Sequence, residues 1–368
     1  MNDVNDAINY LDLQVDNSEI IEPIESKSLN INNSILSIMS DYYGFLAVAK
    51  ESQYGVANPA AKKRFIAISD ESINNDLNID YVETIASRER KGFFSGGLTV
   101  GGDFSFLAEP ENVGEILQYA FGNMTVTPEM TTGETPTPTG YYIREYTPSE
   151  KVLPSFTIYL NRSRLLDTVI LGAKVGTLEF TFDTGSAVNA SVTIAAQNQD
   201  EASKLGISMP TDVVFSDLMP FPYHEVKVYD VIDGTKTYMG IVTSLTLTLE
   251  NNLVSDTFVL GSKNIAPISE GALAVSGSMD IVFKDSTYFR RFMDNTTFGL
   301  EVTCSYPGDS NMIMSFDLPK VIAETADVNM GGIEQLTQTV DFTALKDLGG
   351  KDYSIKATLK NKSAEPSE

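Results

Sequence analysis

The sequence predicts a mainly β protein made of two tandem antiparallel β-sandwich units, each with one flanking α-helix. Three observations carry this. Apolar and polar residues alternate with a period of two through segments rich in Thr, Val, Ile, Phe and Tyr, and Trp is absent. The chain has 368 residues, 42% of them apolar, enough to bury two cores of ordinary size. And the chain repeats itself: GGLTVGGDFSFLAEPENVGEILQYAFG around Leu98 returns as EGALAVSGSMDIVFKDSTYFRRFMDNTTFG around Leu273. Leu98, Val100, Gly102, Phe104 and Phe106 align without a gap to Leu273, Val275, Gly277, Met279 and Ile281. Each copy reads as a strand running into a short amphipathic stretch that ends Phe-Gly, at Phe121-Gly122 and at Phe298-Gly299. Such a duplication points to a building block rather than to an enzyme.

In order along the chain, residues 1–42 form a polar, acidic arm with weak periodicity, expected to order only on a partner. Unit one spans 43–198. A strand over Arg64–Ile68 leads through an Asn/Asp-rich loop to the first repeated strand. Pro110 then opens a helix with Val113, Ile116, Leu117 and Ala120 on one face. The Thr-, Pro- and Gly-rich stretch Thr125–Gly140 reads as a surface loop. Strands SFTIYL, KVGTLEFTF and AVNASVTIA follow; Leu178, Phe180 and Phe182 alternate with Thr177, Glu179, Thr181 and Asp183, so one sheet face is buried. Residues 199–240 read as a linker holding a hairpin that turns at Asp233-Gly234. Unit two, 241–346, offers TSLTLTLENN, the second repeated strand, the helix YFRRFMDN, and the strands LEVTCSY, IMSFDLP and QTVDFTAL. Residues 347–368 are a C-terminal segment, with a solvated tail after Leu359.

Charge excludes some functions. With 26 Lys and Arg against 50 Asp and Glu the formal charge is −24, and an acidic surface repels the phosphates that a nucleic-acid binder must neutralise. The opening MNDVNDAINYLDLQVD lacks a basic stretch followed by an apolar run, so no secretory leader is expected. No run of eighteen apolar residues predicts a spanning helix, and no membrane insertion is expected.

The chemistry-bearing residues are few. Asp183-Thr184-Gly185-Ser186 after FTF has the form of an aspartic-protease turn, whose two carboxylates share a proton; one copy occurs, and a hairpin turn needs no such role. Cys304, the lone thiol, excludes an internal disulfide and reads as a small buried residue. His224 stands alone between Tyr223 and Glu225. GGLTVGG lacks the Lys-Ser/Thr of a phosphate loop; Gly102 and Gly277 mark bends or close backbone contacts within strands. Lys62-Lys63-Arg64 and Arg88-Glu89-Arg90-Lys91 are basic islands, either solvated strand ends or salt-bridge partners of a neighbouring copy. No residue is assigned a catalytic, cofactor-binding or metal-binding role.

FLAVAKESQYGVA near the start, GALAVSGSMDIVF before an aromatic-bearing helix, TSLTLTLENNLV and LGAKVGTLEFTF, in this order, resemble the bacteriophage tail tube (major tail) protein family over residues 43–346. The resemblance implies tube units whose antiparallel sheets close into rings, the rings stacking into a hollow conduit lined by a continuous β-barrel through which DNA leaves the capsid. Sixfold or pseudo-sixfold walls follow, from three chains if both units contribute and six if one does. The implied partners are other copies of the chain, tape-measure, tail-terminator and baseplate or tip proteins, and a sheath; the implied setting is the virion tail, assembled in the host cytoplasm. An aspartic-type protease using Asp183 and a monomeric adhesion or carbohydrate-binding sandwich are the alternative readings.

Overall fold

The structure, a computed structural model, describes residues 44–132, 136–163, 166–329 and 336–362. The acidic arm expected over 1–42 lies outside the described residues. The described residues form one compact unit.

The first half of this unit contains β1 (Phe45–Lys50), β2 (Arg64–Ile66), β3 (Ile68–Glu71), β4 (Asn74–Asp76), β5 (Ile79–Val82), β6 (Gly92–Ser95) and β7 (Thr99–Leu107). It continues with α1 (Val113–Phe121), β8 (Gly122–Met130), β9 (Pro138–Pro148), β10 (Phe156–Arg162), β11 (Leu166–Asp183), β12 (Asn189–Ala196), β13 (Asn198–Glu201) and the one-turn α2 (Ala202–Leu205). The second half has β14 (Val226–Ile232), β15 (Thr235–Tyr238), β16 (Val242–Glu250), β17 (Ala274–Val282), α3 (Thr287–Met293), β18 (Phe298–Tyr306), β19 (Asp309–Ala323), β20 (Asp327–Asn329), β21 (Thr337–Ala344) and β22 (Lys356–Asn361).

Antiparallel pairing arranges these in layers. One long sheet runs β3/β4, β7, β12, the 177–183 half of β11, β16, β17, β21 and β20. Two outer sheets pack around it. One is β2, β1, β10, the 168–171 half of β11 and β13. The other is β15, β14, β18, β19, β22, β9 and β8. β11 and β19 each leave an outer sheet and enter the long one, which ties the layers together.

The pairing shows the halves to be duplicates. β1, β2, β3/β4, β7, α1, β10, β11, β12 and β13 correspond in order, direction and partners to β14, β15, β16, β17, α3, β18, β19–β20, β21 and β22. Even the irregularities recur. The register shifts at Ile68/Asp70 of β3 and at Val242/Ser244 of β16 occupy equivalent positions, as do those at Phe156/Ile158 and Phe298/Leu300. A β-bulge that recurs this way is a designed feature of a shared plan. Phe298 therefore corresponds to Phe156, not to Phe121 as the matching Phe-Gly pairs lead one to expect. The cause is the β8–β9 hairpin, an insertion between α1 and β10 that has no counterpart between α3 and β18.

That hairpin corrects the loop expected over Thr125–Gly140. β8 is the sheet margin, and it accommodates Pro128 beside a register shift. The tail expected after Leu359 also begins later. β22 runs to Asn361, which is wholly buried and donates its side-chain amide to Pro110 O at 2.8 Å.

The helices follow from their apolar spacing. Val113, Ile116, Leu117 and Ala120 lie in the core, and every other residue of α1 is buried as well. The core fills the space between the long sheet and its covers, with Phe104, Phe106, Leu178, Phe180, Leu247, Met279, Val302, Phe316, Val340 and Phe342 from facing strands in one cluster.

Candidate functional site

The long sheet has one apolar face and one polar face, and its polar face has a single sign. Along β7, β12, β16, β17, β21 and residues 177–183 of β11, the residues turned away from the core include Asp103, Glu179, Asp183, Glu250, Asp280 and Asp341. These strand segments hold no Lys or Arg. Alternation with a period of two makes this possible, since the buried Leu245, Leu247 and Leu249 leave Ser244, Thr246, Thr248 and Glu250 on the opposite side.

Threonines and serines fix the carboxylates across strands. Thr339 Oγ1 and Ser244 Oγ donate to Asp280 at 2.6 and 3.0 Å. Ser278 and Thr325 donate to Asp341 at 2.6 Å each, and these bonds hold its carboxyl below the usual range. Thr193 Oγ1 donates to Asp103 at 2.5 Å and Thr248 Oγ1 to Glu179 at 3.2 Å. A surface ordered in this way holds its carboxyl groups in place and presents no cation to which a polyanion could adhere.

The second feature is a pair of open sheet margins. β3 and β4 pair on one side with β7, and β20 pairs on one side with β21; neither pairs with another strand among the described residues on its far side. Within the chain, the equivalent strands meet. Thr177–Asp183 of β11, the counterpart of β20, pair antiparallel with β16, the counterpart of β3/β4. The two free margins therefore have the directions and side-chain phase needed to pair with each other in separate copies.

The singled-out residues fall elsewhere. Asp183-Thr184-Gly185-Ser186 is the exposed β11–β12 turn: Ser186 N donates to Asp183 O at 3.2 Å, and Gly185 has φ +92°. No group of three or more His, Cys, Asp or Glu among the described residues is placed to hold a metal. His224 sits exposed in a single turn, edge-on to Tyr223. Cys304 is wholly buried in β18, and burial pushes its thiol far above the usual range. Arg64 pairs with Glu115 of α1 at 3.2 Å, and Arg90 with Glu83 at 3.0 Å, so both basic islands make contacts within the chain.

Gly102 and Gly277 do mark close contacts. A Cβ on Gly102, at φ +143°, would lie 2.5 Å from Ser72 O; on Gly277 it would lie 2.5 Å from Thr246 O. Sequence reasoning missed the margin strands β4 and β20, which are only three residues each. Their signal lies in the duplication, since β4 aligns to the end of β16 and β20 to Glu179–Thr181 near the end of β11.

A sandwich whose long sheet is open at both margins among the described residues, acidic on its free face and built from a duplicated unit has the features of a wall subunit. The phage tail tube protein family model matches residues 44–344, and the chain belongs to that family: it is a structural subunit of a bacteriophage tail tube. Among solved structures, the tail tube of phage SPP1 shares 12% identity, covering 40% of this chain and 81% of that one with a TM-score of 0.28. No curated protein matches the chain.

Proposed function

We propose that each chain supplies two adjacent segments of the tube wall, residues 44–205 and 226–361, so that three chains close a pseudo-sixfold ring. The observation that carries this is the junction between β11 and β16, at which two equivalent four-strand segments already pair inside one chain. Repeating the same junction between copies joins β20 of one chain to β4 of the next, until no margin remains open. Stacked rings then form a conduit with the carboxylate face inward. Its role is mechanical and electrostatic, without turnover: the acids keep DNA hydrated and mobile as it passes. Tape-measure, terminator and tip proteins would occupy the bore and ends, and assembly would take place in the host cytoplasm before the tail joins the virion.

Electron cryo-microscopy of assembled tubes tests the ring directly. Three chains per ring, each showing two similar wall segments, is the expected result; six chains per ring overturns it. The electrostatic part has its own test. Glu179→Lys, Asp183→Lys and Glu250→Lys combined should leave tubes intact and slow or block DNA delivery, and unchanged delivery would count against the acidic bore.

A further inference from the structure

At one end of the long sheet the two halves differ in what covers them. In the second half the connection between β16 and β17, residues 251–273, folds back over the first half. Leu98 N donates to Lys263 O at 2.7 Å, and the Phe258 ring lies against Gly97. Gln197 Nε2 reaches Ile265 O at 3.4 Å, and Tyr54 Oη accepts from Ile268 N at 3.2 Å. Lys174, 2% exposed, donates to Ile268 O and pairs with Glu270 at 2.6 Å. Leu98 is left 8% exposed.

In the first half the equivalent connection, between β4 and β7, is the β5–β6 hairpin. Among the described residues it is a two-stranded sheet that pairs only with itself, and its apolar side chains are exposed: Ile79 49%, Tyr81 53%, Phe93 70% and Phe94 55%. Four large apolar side chains on one free hairpin are a surface awaiting a partner.

The equivalent receiving site is open as well. Residues Leu98, Val100, Ala196 and Gln197 of the covered site correspond to Leu273, Val275, Ala344 and Leu345, which line a cleft of about 930 Å³. Leu273 and Leu345 are 37% and 38% exposed, whereas Leu98 is 8% exposed. The chemistry of each site matches its cover. The first-half site offers Lys174, Gln197 and Tyr54, and receives backbone carbonyls and a carboxylate. In the second half Ile322 and Leu345 replace Lys174 and Gln197, and the cleft holds an apolar patch of Leu273, Val275, Ala344 and Leu345, suited to aromatic side chains, inside a rim that includes Glu150, Lys151, Lys346, Lys351 and Asp352.

We propose that the β5–β6 hairpin of one chain seats in the Leu273–Leu345 cleft of the next chain around the ring. The inference rests on the ring reading above and names a lateral interlock within it. Each chain gives a hairpin and receives one, so the contact is head-to-tail and closes only with the ring.

Two variants test it in the full chain. Phe93→Asp with Phe94→Asp alters the hairpin, and Leu273→Asp with Leu345→Asp alters the cleft; all four side chains are solvent-exposed, and circular dichroism checks that each variant folds. Each alone should associate at least tenfold more weakly than the wild type and form no rings. An equal mixture keeps one good interface between unlike chains and should give dimers without closed rings. Amine cross-linking of unaltered tubes assembled from ¹⁴N and ¹⁵N chains should join Lys91 of one chain to Lys346 or Lys351 of another. Hairpin variants that still form single closed rings but fail to stack would place the hairpin between rings and overturn the proposal. Wild-type protein that forms no rings at all would instead overturn the ring reading.

Discussion

The two halves share one plan and bury their helices differently. All nine residues of α1 are buried, because the inserted β8–β9 hairpin covers the side turned away from the long sheet. In α3 only Tyr288 is buried, and Phe289 and Met293 remain exposed. The ion pairs do not follow the helices: Glu115 of α1, its side chain 6% exposed, pairs with Arg64 at 26%, whereas Arg291 of α3 forms a two-bonded pair with Asp230, at 10% and 13%, and stacks on Phe298. A duplicated fold thus keeps its strand register while insertions decide how deeply each copy is enclosed. The wall segments stay equivalent, and the outer surfaces are free to diverge.

The largest expected effect breaks the interlock between halves. Glu270→Ala strands the Lys174 ammonium in a buried site, and should lower unfolding free energy by about 3–5 kcal/mol in urea titrations. Glu115→Ala and Arg291→Ala each break a largely buried pair and should each cost about 3 kcal/mol by the same titration; a loss below about 1 kcal/mol at either would contradict its enclosure. Gly102→Ala and Gly277→Ala both meet backbone oxygens at equivalent positions, so each should be destabilising by about 2 kcal/mol, with the larger loss at Gly102, whose φ is +143°. A loss at one and not the other would break the equivalence of the two wall segments.

The smallest effect concerns pH. Hydrogen bonds from Arg162 hold the Glu71 carboxyl low, and those from Ser278 and Thr325 hold Asp341 low. A carboxyl lowered on folding stabilises the protein fully above its unfolded value and loses that contribution as pH falls through the folded one. Thermal midpoints should therefore hold from pH 7 to about 5 and fall below about 4, with a shallower fall in Asp341→Asn.

Much of this was legible in the residues. The alignment of Leu98–Phe106 with Leu273–Ile281 matches the pairing of β7 and β17, because an alternating strand with a required glycine leaves a strong local signal. The buried Leu178, Phe180 and Phe182 face was legible for the same reason. What was not legible depends on distant partners. Nothing in NND or DVN marks a strand until β7 or β21 lies beside it. Thr- and Pro-rich β8–β9 is held by β22 from the far end of the chain, and the inward face is chosen only once the outer sheets close over the other.

The equivalence of halves also fixes a register between copies. Within the chain Thr177 pairs with Glu250 and Glu179 with Thr248; their counterparts are Thr325 with Asp76, and Asp327 with Asn74, of the next copy. Tubes carrying Asp76→Cys and Thr325→Cys, oxidised and run under denaturing conditions, test this most directly, with the buried Cys304 thiol withheld from reaction. Covalent species that climb to three chains and stop are the predicted result. A ladder that continues to six, or chains that stay separate in intact tubes, would contradict it.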